Sequence, residues 1–412
     1  MPTTSSLGLE YTPLEPLFQE DPFPFYARLR REAPVTFVPA FQLWLVSRYQ
    51  DVMAVLKDAR RFSSRDTLRP PVEPPPEVWA ILESAGYTPD YPLLGDDPPA
   101  HTRLRTLLGK AFTLARIQSL EPRIRRVTTT CLDTLTSGER NADIVARLAT
   151  PVSMYVTTEL LGIPEADHAR IKQWCEDEKL CFTPLPLEQH LHTARGVANF
   201  RLYLRDLVED RRESPRDDLI SSMLEARTEG ERPLTTEELV ALISVLLFAG
   251  HETSTNLLTN ALHHLLRHPG LWRELREDTS LIRNAIEETL RFDPPIVGMM
   301  RTTTEPVEIA GTSLPRGSRV FPLFASANRD EQLFEQGERF DIHRPNAARH
   351  LGLGHGIHYC IGAPLARLGA HITLELMLER LPDLRLSPGA PVTYLPSLLH
   401  RGPRQLLMEW GA

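Results

Sequence analysis

The segment HLGLGHGIHYCIGAPLAR, residues 350–367, decides the fold. Cys360 stands at the end of a glycine-rich run and at the mouth of a helix that the sequence predicts from about Ala363 onward. Gly352, Gly354 and Gly356 precede it and Gly362 follows. Glycines allow positive φ and close backbone approach, so N–H groups can turn toward the sulfur. The N-terminus of the following helix adds partial positive charge, and both effects favour a thiolate over a thiol.

A thiolate placed in this way can serve as a nucleophile, a redox thiol or a metal ligand. No second cysteine stands at C-x-x-C spacing, and the residues after Cys360 do not form C-x-x-C-H, which argues against zinc, dithiol chemistry and c-type haem attachment. A single thiolate with open space on its far side suits one axial position of haem iron. An arbitrary lone cysteine is usually an inert core residue, but the G-x-G-x-H-x-C-x-G spacing of residues 354–362 argues against that reading here.

This spacing resembles the haem-binding loop of the cytochrome P-450 family, the haem-thiolate monooxygenases, whose pattern is F-G-x-G-x-H/R-x-C-x-G. One position departs: the usual aromatic is Leu353, which bears on packing beside the sulfur and on redox potential. The resemblance implies Cys360 as the thiolate ligand of haem b (iron protoporphyrin IX), with Gly354, His358 and Gly362 as further cofactor-binding positions.

A second stretch supports the first. Thr235 and Glu238 form a capping box, and the helix they start is expected to run to His268, where Pro269 and Gly270 stop it. Such a helix would be roughly 50 Å long. At its middle, Ala249, Gly250, His251, Glu252 and Thr253 are odd choices for a buried helix. Gly250 costs about 1 kcal/mol relative to alanine, Glu252 is costly to bury ionised, and the Thr253 hydroxyl can reach the carbonyl of residue 249. Small Ala249 and Gly250 would open a groove for a flat cofactor or a diatomic ligand, beside a hydroxyl and a carboxylate; a bent helix with a satisfied threonine is the alternative. AGHET resembles the family's oxygen-binding A-G-x-D/E-T motif. The resemblance implies Thr253 hydrogen-bonding the oxygen under activation and Glu252 as a proton source.

Three weaker patterns fall into the same order. His101 and Arg105 lie four apart on one helix face, where a pair of cations can bind carboxylates, although such pairs are usually solvated surface. In the family an H-x-x-x-R here binds the haem propionates, and Arg301 resembles a further propionate-binding arginine. Glu288 and Arg291 form an E-x-x-R pair, common on exposed helices, which the family uses as a buried ionic lock completed by a later arginine. Arg339 takes that third position by spacing, with Arg344 as rival.

Elsewhere, residues 35–46 read as a hairpin, residues 69–99 as a proline-crowded, partly aromatic loop that cannot be one regular element, and residues 165–210 as two helices broken near 181–186. His190 and His192 read as surface. Phe182, Leu246, Val297, Met299, Leu398 and Leu399 would form an apolar substrate pocket, with Trp79 and Tyr91 on the proline-rich loop. The expected fold is mainly α with a small β-rich part, a single domain over residues 1–412 with nothing left for a fused reductase.

The formal net charge of −8 does not suggest a nucleic-acid or anionic-membrane surface. The 4 cysteines show no framework spacing, consistent with a reducing cytoplasm. The N-terminus lacks a basic start and an apolar core, and the apolar run 239–250 is too short to span a bilayer. A cytoplasmic monomer is expected, taking electrons from a ferredoxin or flavodoxin-type donor with its own reductase. Arg344, Arg349, His355 and Arg367 flank the cysteine loop and would receive an acidic carrier. The expected reaction inserts one atom of O2 into a medium-sized hydrophobic molecule. A peroxide-driven enzyme, a non-catalytic haem sensor and a haem-free helical binding module are the alternatives.

Overall fold

Large apolar residues on both faces make residues 43–46 a central strand. In the computed structural model, which describes residues 5–68, 74–88, 91–181, 183 and 185–411, Val35–Val38 and Leu43–Val46 form the expected hairpin, with Val35 opposite Val46. Leu43–Val46 then runs parallel to Arg319–Pro322, Trp44 beside Val320. Arg301–Thr303 and Phe62–Ser63 complete a five-stranded sheet. Side chains alternate between its faces. Leu43, Leu45 and Phe321 join Phe23, Tyr26 and Leu29 in one cluster, while Trp44, Val46 and Val320 join Val52, Val55 and Phe324 in another.

The chain packs as two compact units, one made of Met1–Ser64, Glu121–Ser153 and Glu252–Ala412, the other of Arg65–Leu120 and Met154–His251. The first contains the sheet, the helix Ile282–Phe292, the cysteine loop and the helix Ala363–Arg380.

The ionic lock lies within this first unit, and one expectation about it is corrected. Arg291 donates from Nε to Glu288 Oε2 at 2.7 Å and from Nη2 to Oε1 at 2.8 Å, and neither side chain is exposed. The third cation is Arg344, whose Nε donates to Glu288 Oε1 at 3.2 Å. Arg339 is exposed and contributes only its backbone carbonyl, which accepts from Arg291 at 3.0 Å and from Arg344 at 2.9 Å. Spacing to the cysteine cannot separate two arginines five residues apart; the turn that folds Arg344 back onto Glu288 does. Arg344 is therefore buried and not available to a docking partner.

In the second unit the proline-rich stretch contains a helix that sequence reading missed, Pro76–Ser84, with a proline at its first position, where the absent N–H costs nothing. Val78 and Leu82 from it pack with Tyr87, Cys181, Ala194 and Val197. The helices His168–Cys181 and Leu187–Glu213 form the expected broken pair. His190, read as surface, is buried with Nε2 against the carbonyl of Cys181.

Glu178 is a buried carboxyl in this unit, and its Oε2 accepts from the Ser244 hydroxyl at 3.2 Å. Burial pushes its pKa up to about 7, which that hydrogen bond and the charge of Arg201 offset only in part. A carboxyl raised above its ordinary value near 4.5 holds its proton more tightly folded than unfolded. Its stabilising effect is fully present below pH 4.5 and is lost as pH rises through 7. Glu178→Gln keeps an acceptor for Ser244 without the charge. It is expected to stabilise the protein at pH 8 by on the order of 2 kcal/mol and to be nearly neutral at pH 4.5. Urea midpoints at the two pH values check this.

The capping box closes as read: Glu238 N–H donates to Thr235 Oγ1 at 3.2 Å and Thr235 N–H to Glu238 Oε2 at 2.9 Å. The helix it opens, Thr236–Leu266, is α-helical throughout its 31 residues. Among the described residues no helix is long and apolar enough to cross a membrane.

Candidate active site

Backbone hydrogen bonds set the conformation of the cysteine loop. Cys360 N–H donates to the Leu353 carbonyl at 2.9 Å, Gly354 N–H to Leu351 at 2.8 Å, and Tyr359 N–H to Gly356 at 3.1 Å across a 3-10 turn. Gly356 has φ +71°, and a Cβ there would lie 2.6 Å from the Leu56 carbonyl. At Gly352 an added Cβ would lie 2.4 Å from the carbonyl of Leu290. Both sites therefore demand glycine. The helix Ala363–Arg380 begins three residues after Cys360, and Cys360 itself stays partly exposed. The helix end and the turned backbone are the surroundings that stabilise a thiolate.

His358 Nε2 lies 3.0 Å from Ser64 Oγ. Ser64 follows the ladder in which Phe62 faces Thr303 and Ser63 faces Thr302, so the next register position is Arg301. The fold thus brings His358, from the cysteine loop, to Ser64 at the end of the edge strand Phe62–Ser63. A thiolate in a glycine-only loop, with the His358 imidazole two residues before it, fits a haem: one soft axial donor and a group able to hydrogen-bond a propionate carboxylate.

Glu252 and Thr253 are partly exposed on the long helix, which continues unbroken through them. At Gly250 a Cβ would meet Thr157 Oγ1 at 3.0 Å, so glycine lets the helix Thr150–Leu160 approach. Ala249 beside it is partly exposed. His101, 2 % exposed, and half-buried Arg105 lie one turn apart on the helix Ala100–Ala111.

The expected pocket residues are distributed as follows. In the second unit Trp79 packs on Tyr87, while Tyr91 lies 3.4 Å from the Tyr87 hydroxyl through its own and meets the Phe248 ring, with Leu246 partly exposed. In the first, Val297 N–H donates to the Leu399 carbonyl at 2.8 Å; Leu398 and Leu399 flank the cluster that holds Val297, and Met299 packs against the other cluster. Phe182 lies outside the described residues.

Sequence reasoning missed one group. The Glu287 carboxylate accepts from Arg367 Nε at 2.6 Å, from Arg367 Nη2 at 2.8 Å and from His350 Nε2 at 3.2 Å. Arg367, expected on a docking face, is thus committed to an internal partner, whereas Arg349 is exposed. The Glu287-Glu288 doublet was the available signal, because adjacent helix positions point in different directions and cannot share one partner set.

The Cytochrome P450 family model matches residues 31–389. The chain is 39% identical over 400 residues to the Cytochrome P450 monooxygenase PikC of Streptomyces venezuelae, covering 95% of this chain and 92% of that protein. It is 36% identical over 392 residues to the Mycinamicin IV hydroxylase/epoxidase of Micromonospora griseorubida, covering 93% and 94%. Among solved structures, cytochrome P450 CREJ in complex with (4-ethylphenyl) dihydrogen phosphate superposes with a TM-score of 0.91 at 33% identity, over 98% of this chain and 100% of that one. The mainly helical fold with small sheets is the P450 fold, and the family's cofactor is haem b. Sequence, loop geometry and likeness agree: the chain belongs to the cytochrome P450 family of haem-thiolate monooxygenases.

Proposed function

We propose that this enzyme inserts one oxygen atom from O2 into a medium-sized hydrophobic substrate while the other leaves as water, drawing two electrons from a separate ferredoxin or flavodoxin-type carrier and its reductase. The cysteine loop carries the reading, because it holds a partly exposed sulfur between glycine-locked turns and a helix N-terminus. Cys360 is the iron ligand, and His101, Arg105, Arg301 and His358 take the propionates. Bound haem supplies O2 activation, with thiolate electron density favouring O–O cleavage. The two compact units work as one domain, in a cytoplasmic monomer. The relative named for mycinamicin IV hydroxylation and epoxidation supports those two outcomes. Trp79, Tyr91, Leu246, Val297, Met299, Leu398 and Leu399 supply the apolar surface that excludes water and holds the substrate; Phe182 belongs to the same proposal.

Thr253 would deliver protons to the reacting oxygen, and Glu252 would link that hydroxyl to solvent; both are partly exposed, as a relay requires. Thr253→Ala is expected to retain haem and substrate binding while diverting most reducing equivalents to peroxide. The check is product formed per O2 consumed with reduced carrier. Unchanged coupling would remove Thr253 from the relay. Turnover with peroxide, but none with O2 and a reduced carrier, would replace the whole reading by a peroxygenase.

A further inference from the structure

Glu287 stands one residue before the lock carboxylate and serves a different set of partners. It holds Arg367 by two parallel hydrogen bonds and His350 by a third. His350 Nδ1 accepts the Gly352 N–H at 3.1 Å. That nitrogen is therefore unprotonated, and Nε2 must carry the hydrogen it donates to Glu287. Arg367 Nη1 in turn donates to the hydroxyl of Tyr359, the residue before Cys360, at 3.1 Å.

These contacts reach the cysteine from both sides. On the incoming arm, Glu287 orients His350, His350 fixes the Gly352 amide, and the next residue, Leu353, presents the carbonyl that receives Cys360 N–H. On the outgoing arm, Arg367 is in the second turn of the helix that follows the cysteine and also grips Tyr359. One carboxylate on the helix Ile282–Phe292 is the common anchor. Burial alone would raise the Glu287 carboxyl, yet the hydrogen bonds from Arg367 and His350 and the Arg367 charge hold it down to about 2, so it is ionised at neutral pH. A charged acceptor holds its donors about twice as strongly as a neutral one.

We infer that Glu287 is a positioning residue for the axial thiolate, clamping both arms of the cysteine loop through His350 and Arg367. The inference rests on Cys360 being the iron ligand. Without the carboxylate charge the loop stays folded on its backbone bonds but loosens. The sulfur then departs more readily from its ligating position.

The test uses haem-loaded protein, reduced and exposed to carbon monoxide, with the lifetime of the thiolate-type absorption band followed at fixed temperature. Glu287→Gln keeps size and one acceptor and is expected to lose that band roughly tenfold faster. Glu287→Asp keeps the charge and is expected to recover most of the lifetime. His350→Phe, which cannot bind the Gly352 amide, is expected to resemble Glu287→Gln, and the double variant to be no worse than either alone. If wild-type protein never shows the thiolate band, the Cys360 assignment fails. If wild type shows it and Glu287→Gln keeps its lifetime, the positioning role fails instead. Should Glu287→Gln take up no haem, uptake by Glu287→Asp is expected, and its absence overturns the inference. A general loss of stability would lower the thermal midpoint without separating Glu287→Gln from Glu287→Asp in band lifetime.

Discussion

Cys360→Ser is expected to fold, to bind haem weakly, and to lose both the strongly red-shifted carbon monoxide band and monooxygenation, with turnover falling roughly a thousandfold or more, about 4 kcal/mol in the barrier. Folding survives because the contacts that shape the loop are made by backbone: the Cys360 amide on Leu353, the Tyr359 amide on Gly356, and glycines pressed against Leu56 and Leu290. Serine keeps all of them. What it lacks is a side chain that ionises near neutral pH and donates electron density to iron. Difference spectra of the reduced protein with carbon monoxide decide the matter, and a serine variant that retained the wild-type band would end the assignment.

Arg291→Ala is expected to be the most damaging single substitution for stability. Among the described residues it leaves Glu288, with no exposed surface, facing Arg344 and the Asp341 amide alone, and it strips a donor from the carbonyls of Asn328, Gly337 and Arg339. Breaking a buried pair by removing one partner costs about 3–5 kcal/mol. That is a large part of the 5 to 15 kcal/mol or so that stabilises a typical protein, so soluble protein should be scarce and the urea midpoint sharply lowered. Arg339→Ala is the control: its side chain is exposed and the lock uses its backbone carbonyl. It should change stability by less than about 0.5 kcal/mol. Equal losses in the two variants would contradict the arrangement found around Glu288.

What was legible in the sequence was whatever a short spacing controls. The capping box at Thr235 and Glu238 involves residues three apart, and the hairpin of residues 35–46 follows from a local run of β-branched and aromatic residues; both formed as read. Reading failed where the deciding partner comes from elsewhere in the chain. Proline density hid the helix Pro76–Ser84, although its prolines stand where a helix tolerates them. Glu287 carries no motif, and its meaning depends on His350 and Arg367, which only the tertiary structure brings to it. The choice between Arg339 and Arg344 has the same cause.

The make-up of the first unit dictates an order of events during synthesis. Its pieces are the start of the chain, a short middle segment and the last stretch, whereas the second unit is drawn from intervening segments. The strand Leu43–Val46 leaves the ribosome early but must wait for Arg319–Pro322, and the Leu56 carbonyl that backs Gly356 waits longer still. Domains tend to form as their segments emerge, and pairings between distant segments come late. Every segment of the second unit has emerged before the cysteine loop exists, so the nascent protein can acquire its prosthetic group only once residues 350–362 have been made.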